Sequence, residues 1–302
     1  MGQPETQPET QPEPQDVARV AAALQAEPVT WRPALRGGQT AAGRWIVTLP
    51  DGARAFVKIG ATLETAAWVR DEHLVYAQLR GMSFLPRVIG WHDDGERPVL
   101  AIEDLSQERW PPPWDAAAVD AVLACLENVH ATAPPPDLPT FDRHHLEFRS
   151  VWQRIQADPG PMLSLGLCGA AWLDAAGPDL AAAADAAVVE GDTLVHMDVR
   201  SDNLCLRGGA AVLIDWNWAC VGSPMFDLAW WLPSLHAEGG PPPEVVLPAG
   251  ATEHAALAAG YFCAHAGLPP IPQAPHVREL QLQQARTALP WAARELGLSA
   301  PA

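Results

Sequence analysis

Lysine is almost absent from this chain: of its 19 basic residues 18 are arginine, and Lys58 alone is lysine. Cysteine is sparse and scattered. Cys125, Cys168, Cys205, Cys220 and Cys263 form no CxxC pair, which excludes a zinc cluster or a disulfide framework and makes a reducing cytoplasm the expected location. No run of about 18 apolar residues occurs, so no membrane span is expected. The stretch 254–277 lacks Asp, Glu, Lys and Arg, but its histidines and four prolines rule it out as one. The first residues show neither a basic segment nor an apolar one, so no signal peptide is expected. Positive charge is also short, with 36 acids giving a net charge of −17, a balance that repels nucleic acid and anionic membranes.

What is present suits a folded chain of one two-lobed unit or two domains: 302 residues, 48% of them apolar, suffice for a real core. Residues 1–15 repeat QPET, are polar and proline-rich, and are expected to be a disordered tail. Asp16 is then placed to cap the helix-like run VARVAAAL. From Val29 to Asp94, strand-like stretches such as RWIVTLP and ARAFVKI, joined by an Asp51-Gly52 turn, surround one amphipathic helix over Leu63 to Leu79. PVLAIEDL closes this first region, 16–104. Beyond it, residues 105–302 turn mostly helical, as in DAAAVDAVLACLENVHATAPP with its proline stop. Of the 13 tryptophans most are expected in the core, Trp230 and Trp231 included, while Trp110 and Trp114 in a proline-rich stretch are candidates to wall a pocket.

The densest chemistry lies in HMDVRSDN, His196 to Asn203, followed by a short hairpin and LIDW, which ends on Asp215 and Trp216. The interval from Asp198 to Asn203 is that of a phosphoryl-transfer loop, in which a carboxylate takes the proton of the attacking hydroxyl and an amide oxygen holds magnesium. Two apolar runs, LCLR and AAVLI, flank Gly208-Gly209 and read as a tight antiparallel hairpin. Pairing outward from that turn sets Leu204 against Leu213 and Asn203 against Ile214, with facing residues about 5 Å apart. Asn203 and Asp215 then lie side by side, a hard oxygen pair suited to Mg²⁺. Lys58 ends the run AFVK, and a compact ammonium on a strand can reach between two phosphates where a planar guanidinium fits poorly. Glu72, about two helical turns into the next helix, is a candidate partner, with Glu64 and Asp71 as rivals; Asp71 would point about 100° away from Glu72, so only one of those two can face the lysine.

Lys58, HMDVRSDN, Asp215-Trp216 and GSPMFDLA (Gly222 to Ala229) together resemble the aminoglycoside phosphotransferase family, small-molecule kinases with a protein-kinase-like fold. The resemblance runs from about Val29 to the end of the chain. It implies an α+β fold of two lobes: a small antiparallel-sheet N-lobe that binds nucleotide and a larger, mostly helical C-lobe with the catalytic loop and the acceptor site. It further implies Asp198 as the catalytic base and Asn203 and Asp215 as magnesium ligands. Lys58 would contact the phosphates of ATP and pair with Glu72, and backbone groups of the hinge at Glu103 and Leu105 would meet the adenine edge. His196 and Asp227 would brace the loop structurally, and His130, in a Val129-His130-Ala131 segment that also fits the family, would be a packed helix residue. Three departures stand out. Met197 replaces the usual glycine between His196 and Asp198. No GxGxxG precedes Lys58, leaving Gly38, Gln39 and Thr40, within Gly37 to Gly43, as the candidate phosphate-covering loop. Trp216-Asn217 follows Asp215 in place of Phe-Gly, and Gly222 comes too soon for a long activation segment, which argues against a regulated protein kinase.

Charge is the sequence's clue to the acceptor. Residues 105–302 carry 22 Asp and Glu against 9 Arg, whereas residues 16–104 are nearly balanced, with 11 acids against 10 bases. A negative cleft concentrates cations, so a cationic hydroxylated small molecule, such as an aminoglycoside or a basic peptide antibiotic, is one expectation. A merely solvated acidic surface is the other. Metabolic phosphorylation of choline, an amino alcohol or a sugar, the use of GTP, and a pseudokinase-like binding module stay open beside antibiotic resistance.

Overall fold

The computed structural model describes residues 12–34, 41–141, 148, 150–272 and 274–301. The chain divides into two compact units, Met1–Glu108 and Arg109–Ala302. Among the described residues no helix is long and apolar enough to cross a membrane.

The first unit is a five-stranded sheet, antiparallel throughout, in the order β1-β2-β3-β5-β4: β1 Thr30–Pro33, β2 Gly43–Thr48, β3 Arg54–Ile59, β4 Val88–His92 and β5 Val99–Glu103. The expected Asp51-Gly52 turn joins β2 to β3. Gly52 takes the left-handed φ of 86° that a tight reversal needs, and the Asp51 carboxylate accepts from the Ala53 amide at 2.9 Å. Alternation along β3 sends Val57 and Ile59 to one face and Lys58 to the other. The first face, with Val47, Ala55, Val99 and Ala101, packs against Val20 and Ala23 of helix α1, Pro14–Leu24. Toward the second face runs α2, Leu63–Gln78. Its start is fixed by a reciprocal cap in which the Thr62 hydroxyl accepts from the Thr65 amide at 3.1 Å and the Thr65 hydroxyl accepts from the Thr62 amide at 2.8 Å.

Helix α1 starts earlier than its sequence suggests. Pro14 occupies the first turn, where its fixed φ favours the helix and its missing N–H costs nothing. Asp16 is therefore not a cap but a buried first-turn residue, paired with Arg97 at 3.0 Å, and burial pushes its carboxyl above the ordinary range against the pull of Arg97. Gly90, beside a bulge in β4, lets α1 dock: a Cβ there would press into the Ala23 carbonyl group.

The second unit is mainly helical. It contains α3 (Ala116–His130), α4 (Val151–Ala157), α5 (Gly160–Leu163), α6 (Ala170–Ala186), α7 (Met225–Ala237), α8 (Pro243–Val246), α9 (Thr252–Ala266) and α10 (Val277–Glu295). The alanine-rich α9 is buried along most of its length and packs against α6 and α10. Gly260 on α9 admits the Trp152 indole, whose Nε1 donates to the Ala256 carbonyl at 2.8 Å. Two short ladders carry the polar loops: β6 (Thr193–Val195) pairs with β9 (Cys220–Gly222), and β7 (Leu204–Arg207) with β8 (Ala210–Leu213). Leu204 faces Leu213, the register expected from the Gly-Gly turn, and Gly208 and Gly209 both take positive φ. The segment from His196 to Asn203 thus spans from β6 to β7.

The backbone that Gly90 meets cannot rotate away as a side chain could. Gly90→Ala is expected to destabilise the protein by about 2 kcal/mol, as overpacking does, read as a lowered urea midpoint with an unchanged m-value.

Candidate active site

Lys58 is buried and donates to the Glu72 carboxylate at 2.6 Å; the other carboxylate oxygen accepts from the Tyr76 hydroxyl at 2.8 Å. Glu64 and Asp71, the rivals for this pairing, are exposed. Removing one partner of such a pair leaves a buried charge uncompensated, so the two are held as a unit. At the end of the sheet, Glu103 is anchored through its side chain, which accepts from the Arg87 amide at 2.8 Å, and buried Leu105 accepts through its carbonyl from the Glu108 amide at 3.0 Å. Arg54 fastens the same segment by an ion pair to Asp104 at 2.6 Å. Gly38, Gln39 and Thr40 lie outside the described residues.

In the second unit the loop His196–Asn203 is held by backbone bonds to buried side chains. The fully buried Asp227, in the first turn of α7, accepts from the His196 amide at 3.0 Å and from the Met197 amide at 2.8 Å. The ring of His196 is committed at both nitrogens. Nδ1 faces the Asp198 amide at 3.2 Å, which can only donate, and Nε2 faces the Ile214 carbonyl at 3.0 Å, which can only accept. The neutral tautomer protonated on Nε2 satisfies both, so each ring nitrogen holds a backbone group. Asn203, fully buried, donates through Nδ2 to the Asp198 backbone oxygen at 2.9 Å and to its carboxylate at 2.8 Å.

The Asn203 Oδ1 atom is buried and has no hydrogen-bond partner. A buried amide oxygen left bare costs stability unless something polar meets it. The Ile214 amide donates to the Asn203 carbonyl at 2.9 Å, extending the hairpin by one pair, and Asp215 is the next residue along the chain. Asp215 adopts φ 65°, in the left-handed region. The Asn217 amide, turned with its nitrogen toward Asp215, donates to Oδ1 at 2.9 Å while its oxygen accepts from Trp218 Nε1 at 3.1 Å. Among the described residues no three His, Cys, Asp or Glu side chains converge as a metal cage. The Asn203 Oδ1 atom and the Asp215 carboxylate are hard oxygens, the ligand type that Mg²⁺ takes.

Around Asp198 the electrostatics oppose one another. Burial pushes its carboxyl above the ordinary range, the guanidinium of Arg200 at 3.5 Å pulls it down, and the charges of Asp202 and Asp215 push it up again. Arg200 is itself clamped by both Asp202 oxygens, at 3.0 and 2.8 Å. A half-buried carboxylate of raised basicity is a better proton acceptor than a solvated one.

Several contacts here escape sequence reasoning. His130 reaches Asp227 at 3.0 Å, adding a side chain to the two amides on that carboxylate; its place in the Val129-His130-Ala131 segment was the available signal. The roles of Arg200 and Asn217 beside the acidic residues are readable only in space. Trp114 makes an edge contact with Trp231 and donates through Nε1 to Glu238 at 2.9 Å. Trp231 is fully buried and the nearly buried Trp230 stacks on Phe226 at 3.7 Å, the packing expected for both.

A sequence profile described as the phosphotransferase enzyme family matches residues 31–266. No curated protein sequence resembles this chain closely enough to count as a relative. Among solved structures, an aminoglycoside phosphotransferase from Alicyclobacillus acidocaldarius is similar at 14% identity and TM-score 0.61, covering 97% of this chain and 96% of that one. An amicoumacin kinase in complex with AMP-PNP, Ca²⁺ and Ami is similar at 10% identity and TM-score 0.60, covering 91% and 94%. A macrolide 2'-phosphotransferase from Brachybacterium faecium follows at 14% identity and TM-score 0.54, covering 94% and 91%. At such identities these likenesses establish the fold, which is kinase-like and α+β as expected.

Met197 holds φ 72°, a conformation that costs a non-glycine residue about 1 kcal/mol, and its buried side chain offsets that cost. Met197→Gly and Met197→Ala both lose the burial, but only alanine keeps the strain. The glycine variant is expected to be more stable than the alanine variant by about 1 kcal/mol, the reverse of their order in a helix or strand; paired denaturant titrations read the difference.

Proposed function

This chain belongs to the phosphotransferase enzyme family, and from that premise we propose that it transfers the γ-phosphoryl group of ATP to a hydroxyl of a small molecule. The observation that carries the reading is Asn203: its amide nitrogen is spent on Asp198 while its buried Oδ1 is bare. That arrangement gives one residue two tasks, to orient a carboxylate and to offer a hard ligand. Asn203 Oδ1 and Asp215 would hold Mg²⁺, which when bound supplies charge neutralisation for the transferring phosphoryl group. Lys58, fixed by Glu72, steadies the nucleotide phosphates, and backbone groups at Glu103 and Leu105 meet the base. Gly38, Gln39 and Thr40 would cover the phosphates.

Asp198 orients the acceptor hydroxyl and takes its proton as the oxygen attacks phosphorus in line. His196 and Asp227 touch no reactant in this scheme; they hold the backbone from which Asp198 projects. Most of the rate then comes from positioning and charge, as expected where phosphoryl transfer asks little covalent work of the protein. For the acceptor, the acid excess of residues 105–302 favours a cationic hydroxylated compound, an antibiotic such as an aminoglycoside among them. Metabolic kinases of choline, amino alcohols or sugars share the same chemistry, and equal turnover of neutral sugars or macrolides would remove the preference for cations.

Mass-spectrometric screening for addition of HPO₃ across cationic and neutral hydroxyl compounds is expected to return a phosphorylated product that depends on magnesium. Nucleotide binding without product across the panel would instead identify a binding module. Asp198→Asn is expected to keep nucleotide affinity within about threefold while lowering kcat by roughly 10³-fold or more, the scale of general-base loss combined with lost positioning. Asp215→Asn is expected to weaken magnesium-dependent nucleotide binding as well, seen by calorimetry with and without the metal. Near-normal turnover by the first variant would take Asp198 out of its assigned role.

A further inference from the structure

Asp227 grips the loop His196–Asn203 near its start, yet a second carboxylate reaches its far half. Glu238 directly follows α7 and accepts through Oε1 from the Ser201 hydroxyl at 2.6 Å. Through Oε2 it accepts from Trp114 Nε1 at 2.9 Å. Ser201 stands three residues after Asp198 and two before Asn203. The helix that carries Asp227 in its first turn therefore ends beside the residue that fastens the other end of the same loop. Glu238 stands eleven positions after Asp227, about 16 Å along a helical rise, so one helix, with Pro233 inside it, carries both attachment points.

We propose that Glu238 is a positioning residue that locks the far half of the catalytic loop to α7 through Ser201 and couples it to Trp114. The proposal rests on the phosphotransferase reading for its effect on rate, but not for the contact itself. A hydrogen-bonding role and a charge role for Glu238 make opposite demands. Glutamine preserves both bonds, because its Oε1 can accept from the Trp114 indole while its amide nitrogen donates to the Ser201 hydroxyl, which accepts as readily as it donates. Glutamine removes only the charge. Alanine removes both bonds.

Hydrogen–deuterium exchange of the peptide spanning 196–203, measured on the whole nucleotide-free protein, tests the lock without any activity. Glu238→Ala and Ser201→Ala are expected to speed its exchange at least threefold, and Glu238→Gln to restore most of the protection. With an acceptor in hand, the two alanine variants are expected to lower kcat about tenfold or more with the nucleotide KM within twofold. Glu238→Gln is expected to recover the larger part of that loss. Ser201→Ala deletes one half-buried hydroxyl, so its result does not hinge on whether Glu238→Ala folds. Exchange at the wild-type rate in both alanine variants overturns the proposal. So does a glutamine variant that keeps the loop protected but loses kcat as alanine does, since the carboxylate would then act by charge, as on a cationic acceptor. If wild-type protein yields no phosphorylated product while the exchange contrast persists, the functional reading fails and the lock stands.

Discussion

The grip of one buried carboxylate on two consecutive backbone amides organises the second unit. Asp227 has no exposure, and its oxygens meet the N–H groups of His196 and Met197 and the ring of His130. A carboxylate in that setting is tolerable only because each oxygen is satisfied, and charge-assisted bonds of this kind are roughly twice as strong as neutral ones. The bonds leave the chain at Met197 little choice but the left-handed conformation it takes. From there the Asp198 amide turns onto His196 Nδ1, and the opposite ring nitrogen ties the loop to the Ile214 carbonyl. One helix residue thus sets the loop that carries Asp198 and, through His196, the strand end that carries Asp215.

Left-handed backbone at Met197 and again at Asp215 follows the same logic. Neither residue prefers φ near +70°, and each persists because its surroundings over-determine it. Met197 is held by its amide and its buried side chain; Asp215 is succeeded by Trp216, which is fully buried and donates to the Leu213 carbonyl at 3.0 Å. The indole stands edge-on to His196, with ring centroids 4.6 Å apart, so the two strained positions are fastened to a common pair of rings. A residue larger than glycine at the first position is then a matter of packing, and the family's glycine is one solution among others.

Much of this was legible in order along the chain. The Gly208-Gly209 turn dictates its hairpin register by local geometry alone, and Leu204 faces Leu213 as that register requires. Lys58 stands out by composition, and helical spacing lets only one of Glu72 and Asp71 face it, since side chains about 100° apart cannot face one strand together; the family resemblance, not the spacing, singles out Glu72. Helix α1 starts ahead of Asp16 because Pro14, at the end of a polar proline-rich repeat, initiates it. The contacts of His130 with Asp227 and of Glu238 with Ser201 were not legible, for a physical reason. They join residues 97 and 37 positions apart, and no periodicity or turn chemistry encodes which distant carboxylate a given polar side chain will meet.

The lone lysine shows how such a site is kept against the pull of stability. A well-packed apolar pair in place of Lys58 and Glu72 would commonly be as stable or more so, because two charges must be stripped of water to bury them. The Tyr76 hydroxyl reduces that cost by satisfying the second carboxylate oxygen, yet it supplies no reason for the ammonium to be there. Arginine serves every other basic position in the chain, including the ion pairs with Asp16, Asp93 and Asp104. Under the proposed function the lysine meets nucleotide phosphates, where a small cation with freely turning donors serves and a planar fork would not. The pairing with Glu72 is therefore best understood as aiming the ammonium, with the stability of the sheet supplied instead by the apolar face packed under α1.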